Sequence, residues 1–91
     1  MTYKKKRFTP AERRLLDCLR EKVGHVVSHR HLIRAMRGFG SLPIIPTNRQ
    51  MGLLRKTICG LRQEIEEDPA LPDIIITHRG QGYSFQIVRQ Q

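Results

Sequence analysis

The stretch Ile74-Ile75-Ile76-Thr77-His78-Arg79-Gly80-Gln81-Gly82-Tyr83-Ser84-Phe85 constrains the fold more than any other part of the chain. An apolar, β-branched run leads into a tight turn flanked by Gly80 and Gly82. Beyond the turn, Tyr83, Phe85 and Ile87 alternate with Ser84 and Gln86. Alternation at period two puts the first set on one face of a strand and the second on the other. The segment predicts a β-hairpin, and Arg79 rides at its tip into solvent.

Three helices are expected before it. Thr9-Pro10-Ala11-Glu12 starts the first, with Thr9 as cap, Pro10 at the first helical position and Glu12 closing a capping box. Ala11, Leu15, Leu16, Leu19 and Val23 recur at helical spacing, and Gly24 is a natural stop. Val26-Val27 is long enough to lend one short strand to a sheet. Ser28 caps a second helix through Leu32, Ile33 and Met36 to Gly38. Two glycines and two prolines then forbid regular structure between Gly38 and Pro46. Leu42, Ile44 and Ile45 in that loop either tuck onto the core or face a partner. Thr47-Asn48-Arg49-Gln50 is a second capping-box pattern, and Met51, Leu54, Ile58, Leu61 and Ile65 form one apolar stripe. Asp68-Pro69 ends that helix. A long basic helix followed by a basic hairpin is the order of a winged helix, which makes nucleic acid the leading partner.

Charge supports that partner. The chain carries 17 Lys and Arg against 8 Asp and Glu, a net charge of +9. Residues 1–63 hold 15 of the cations and 3 of the acids, so the basic character is concentrated upstream of the segment Glu64 to Asp73. A compact domain with this balance repels itself unless a polyanion screens it. Cys18 and Cys59 are too far apart for a zinc knuckle and read as reduced thiols. No stretch approaches a membrane span, and the basic start lacks the apolar run of a signal peptide. The expected location is therefore the cytoplasm, at the nucleoid of a bacterium or of a phage-infected host.

The stripe on helix three also fixes what faces outward. Half a turn away, at about 100° per residue, lie Gly52, Arg55, Lys56, Cys59, Gly60, Arg62 and Gln63, with Arg49 at the helix start on the same side. The major groove of B-DNA admits one helix, and arginine to guanine is its commonest specific contact. Arg55, Lys56 and Arg62 are thus candidates for base edges or flanking phosphates. Thr57 borders the core and is either a contact or a packing residue. Glycine inside a helix costs about 1 kcal/mol relative to alanine, so Gly60 marks a close approach, by DNA or by another helix.

Phe8-Thr9-Pro10-Ala11-Glu12, Val26-Val27-Ser28-His29-Arg30-His31-Leu32, Ile58-Cys59-Gly60-Leu61-Arg62-Gln63-Glu64-Ile65, Asp68-Pro69 and Ile76-Thr77-His78-Arg79-Gly80-Gln81-Gly82-Tyr83, in this order, resemble the effector domain of OmpR/PhoB-type response regulators. The Ile-Thr-x-Arg-Gly-x-Gly-Tyr segment is the most specific part. The resemblance implies an α+β winged helix-turn-helix of three helices and a C-terminal β-hairpin wing. It implies binding to double-stranded DNA by a small transcription regulator, with helix three in the major groove. Wing residues Thr77, Arg79 and Gln81 then lie at DNA, and Arg79 enters the minor groove. It further implies that the 38–46 loop touches RNA polymerase.

The chain departs from the family in four ways. Only eight residues precede Thr9, so residues 1–8 are expected as a basic arm or short strand and 9–91 as the winged-helix domain, with the N-terminal sheet of the family shortened or missing. No phosphoacceptor receiver domain is present, so a stand-alone domain without phosphorylation-driven dimerisation is expected. Cys59-Gly60 stand where the family often carries arginines, which shifts weight to Arg55, Lys56 and Arg62. Arg37 stands where the family often has an aromatic residue, and reads as a phosphate contact.

No catalytic constellation is visible, and no cofactor or metal is expected. Glu64, Glu66, Glu67 and Asp68 read as a solvated acidic end at a helix C-terminus, or as a face for the basic side of a neighbour in a head-to-tail array on DNA. His25, His29 and His31 lack a fourth ligand for zinc and read as structural or phosphate-facing. His78 lies on the wing beside Arg79 and is expected to contact DNA backbone, and neither cysteine has a base partner. The alternative to DNA binding is a protein-interaction module that uses the same fold to engage RNA polymerase, a sigma factor or a partner regulator.

Overall fold

The computed structural model describes residues 8–38 and 46–87. Helix α1 (Pro10–Glu21) is followed by strand β1 (Val27–Ser28), helices α2 (His29–Arg37) and α3 (Asn48–Ile65), and strands β2 (Ile75–His78) and β3 (Gly82–Phe85). This is an α+β winged helix-turn-helix. The expected basic arm up to residue 7 and the loop residues Leu42, Ile44 and Ile45 lie outside the described residues, while Phe8 packs partly buried on the core.

Local chemistry sets the helix starts. Thr9 Oγ1 accepts from the Glu12 amide at 3.1 Å and the Glu12 carboxylate accepts from the Thr9 amide at 2.9 Å. Thr47 and Gln50 repeat the arrangement at 3.2 and 3.1 Å. Each box satisfies two amides that a helix start otherwise leaves orphaned. Ser28 Oγ accepts from the His31 amide at 3.2 Å, and Gly38 closes α2 with φ at +80°.

The ends of α1 and α3 differ from expectation, for tertiary reasons. Helix α1 stops at Glu21 and leaves Val23 exposed. The chain turns there so that the Gly24 amide donates to the Phe85 carbonyl at 2.9 Å. Helix α3 stops at Ile65, short of Asp68, because Glu66 adopts an extended backbone and turns its side chain inward. Glu66 is 1 % exposed, not part of a solvated acidic end. Its carboxylate accepts from the amides of Asp73 (2.8 Å), Ile74 (3.0 and 3.1 Å) and Ile75 (2.7 Å). A buried carboxylate needs such partners, and these amides, leading into the first residue of β2, need an acceptor.

The antiparallel sheet has the order β1-β3-β2, pairing Val27 with Tyr83 and Thr77 with Tyr83 from the other side. Gly80, with φ at +74°, makes the wing turn, which the Gln81 amide closes on the His78 carbonyl at 2.9 Å. Gly82 serves a different end: a Cβ there would run into the Val27 carbonyl, so β1 pairs with β3 only across a bare backbone. Ser84, expected on the open face, is buried. Its hydroxyl lies 2.7 Å from His78 Nε2 and accepts from Gln86 Nε2 at 3.1 Å. Ile87, expected on the core face, is exposed because β3 ends at Phe85.

One apolar cluster unites the elements. Leu15, Leu16 and Leu19 of α1 meet Leu32, Ile33 and Met36 of α2, Leu54, Ile58, Leu61 and Ile65 of α3, and Val27, Ile75, Tyr83 and Phe85 of the sheet. Burying each large side chain contributes about 1.5–3 kcal/mol, enough to hold α3 with a fixed face outward.

Candidate nucleic-acid interface

Because α3 commits Leu54, Ile58, Leu61 and Ile65 to the core, its other side is open: Arg49, Gly52, Leu53, Arg55, Lys56, Cys59 and Gln63 are all exposed. Arg49, Arg55 and Lys56 make no hydrogen bond or ion pair among the described residues. Arg37, exposed in the last turn of α2, is likewise unpaired among them, as is Arg79 at the wing tip. Five solvated cations thus stand on α3, at the end of α2 and on the wing.

Two of the expected contact residues are bonded to each other. Arg62 is half-buried. Its Nε and Nη2 donate to the Ile75 carbonyl at 3.1 and 2.7 Å, and Nη2 also donates to Thr77 Oγ1 at 2.9 Å. The guanidinium lies 5.8 Å from the centre of the Tyr83 ring, a distance that favours cation–π attraction. On the same ring, His29 packs edge-on at 5.9 Å. The His29 amide donates to the Gln81 carbonyl at 3.3 Å. The root of the wing is therefore fastened to α3 by Arg62 and to the start of α2 by His29. Of the structural and phosphate-facing roles expected for His29, the structural one is seen here. The place of Tyr83 between Arg62 and His29 was not legible, although Tyr83 closes the most specific segment of the chain.

Thr57 is half-buried, and its hydroxyl donates back to the Leu53 carbonyl at 2.8 Å. The close neighbour of Gly60 is α1: a Cβ there would stand 2.7 Å from Glu12 Oε2, the end of a flexible side chain. Of the two neighbours left open by the sequence, a helix does come close. His78, expected to contact DNA backbone, is turned to Ser84. Cys59 is exposed on the open side of α3. Cys18 is buried, and desolvation, with a smaller push from Glu21 against a pull from Lys22, raises its pKa. Among the described residues no group of three His, Cys, Asp or Glu is arranged to hold a metal, and no helix is long and apolar enough to cross a membrane.

A family model described as transcriptional regulatory protein, C terminal, matches residues 4–85. The match spans all three helices and the hairpin, and the family is one of DNA-binding regulatory domains, not of enzymes. The chain belongs to the OmpR/PhoB-type family of C-terminal, DNA-binding domains of transcriptional regulatory proteins.

Proposed function

We propose that this domain recognises a specific duplex sequence by laying the open side of α3 in the major groove and the tip of the wing in the adjacent minor groove. The observation that carries the reading is the set of exposed cations without acidic partners among the described residues, Arg49, Arg55 and Lys56 on α3 and Arg79 on the wing. Arg55 and Lys56 contact base edges or flanking phosphates, and Arg37 and Arg49 grip backbone phosphates. Arg79 enters a narrow A·T-rich minor groove, where the negative potential is enhanced. Thr77 and Gln81 flank it at the wing. Arg62 turns only its free Nη1 edge to DNA, because Nε and Nη2 are engaged by Ile75 and Thr77.

The test is a duplex titration over a range of salt, on a sequence recovered by selection from random DNA. If about five to seven phosphates are neutralised, log K falls against log salt with a slope of roughly −5 to −6. A flat response would remove the groove-binding reading. The same surface would then serve protein partners such as RNA polymerase, a sigma factor or another regulator.

A further inference from the structure

Leu53 is the one large apolar residue on the open side of α3, and it is 56 % exposed. The core explains nothing about it, since the inward stripe runs through Leu54, Ile58, Leu61 and Ile65. Its neighbours at helical spacing on that side are Arg49 and Lys56, both exposed. Two cations beside the leucine disfavour an apolar protein surface as its cover and favour a polyanion that presents a local apolar spot. Duplex DNA has one such spot on the major-groove edge of its bases, the C5-methyl of thymine. The residue one turn further on fits the same ligand. Thr57 commits its hydroxyl hydrogen to the Leu53 carbonyl at 2.8 Å, so that hydroxyl offers no proton to a base.

We infer that Leu53 is a specificity-determining residue that reads a thymine methyl in the major groove. The inference rests on the proposed placement of α3 in that groove. It adds to the charged contacts an apolar one, which discriminates thymine from cytosine without a hydrogen bond.

The test begins with the motif recovered by selection and replaces its thymines one at a time by deoxyuridine, which lacks only the methyl. Wild-type protein should lose about fourfold in affinity at one thymine, the worth of one buried methyl-sized group. Leu53→Ala should bind thymine and deoxyuridine equally at that position, and its own selected motif should no longer require thymine there. Alanine is a better helix former than leucine and the site is exposed, so circular dichroism should show an intact fold. Wild-type indifference to every methyl, a motif without thymine, or methyl sensitivity that persists in Leu53→Ala would overturn the assignment while leaving DNA binding in place. A selection that recovers no motif, together with a flat salt response, would overturn the proposed function and this inference with it.

Discussion

Gly60 and Gly82 are both close-approach glycines, yet what stands opposite each differs, and so does the cost of a methyl. Opposite Gly60 is the end of a flexible carboxylate, Glu12 Oε2; opposite Gly82 is the backbone carbonyl of Val27. Gly60→Ala gains about 1 kcal/mol of helix propensity and displaces Glu12 from a capping box worth about 1 kcal/mol. Its stability should therefore stay within about 1 kcal/mol of wild type. Gly82→Ala has no such escape, because either β1 leaves β3 or the hairpin shifts. Its cost should be on the order of 3 kcal/mol or more, a melting point lower by more than about 10 °C in a domain of this size. Thermal melts of the two variants decide the matter. Equal tolerance at both positions would mean that β1 yields without loss and that the Val27–Tyr83 pairing adds little.

The relation between α3 and the wing is the part of this domain least visible in its sequence. Both capping boxes were legible because their partners are three residues apart, and the stripe of α3 was legible because a buried helix face repeats every three to four residues. The open cations of α3 followed from that stripe by geometry alone. Glu66 and Arg62 defeat such reasoning. Their partners lie 7 to 9 and 13 to 15 residues away, and only the tertiary fold brings them together. Any glutamate at a helix end reads as solvated until its partners are known, and any arginine on a helix flank reads as free. Arg62 joins α3 to the wing, so on the proposed reading its removal should act through Arg79. Arg62→Ala should lower stability by about 1–3 kcal/mol, as for other hydrogen bonds from charged groups. It should also weaken binding to duplexes with A·T flanks. Arg79→Ala should leave the melting point nearly unchanged and reduce the same flank preference. The double variant should lose less affinity than the two single losses combined, because a wing that is no longer held gains little from its arginine. Arg62→Lys should restore wing placement only in part, since an ammonium can donate to Ile75 and Thr77 as Nη2 does but lacks the Nε bond and the planar group over Tyr83. Additive losses across the four proteins would instead make Arg62 an independent phosphate contact.

At the scale of the whole molecule, fold and ligand make opposite demands on the same charge. Seventeen cations face eight acids, so nine positive charges have no acid in the chain to pair with. One of the acids, Glu66, is committed to backbone amides and lies buried. The Arg13–Asp17 ion pair, 3.7 Å apart on an exposed helix face, offsets little. The radius of gyration is 12.7 Å, comparable to the Debye length of about 10 Å at 0.1 M salt. Repulsion across the domain is therefore felt in dilute buffer and largely screened at a few tenths molar. The free protein should melt a few degrees higher as sodium chloride rises from about 0.05 to 0.5 M, since roughly 1 kcal/mol moves the midpoint of such a domain by 4–8 °C. The DNA-bound protein should move the other way. Its extra stability depends on ligand concentration relative to Kd, and Kd weakens steeply with salt as counterions cease to be released at a gain. Melting curves with and without duplex should thus converge as salt rises, the lower climbing and the upper falling. Curves that stay parallel would show that the bound state is held by contacts indifferent to salt, and a flat lower curve would show that the excess charge does not burden the fold.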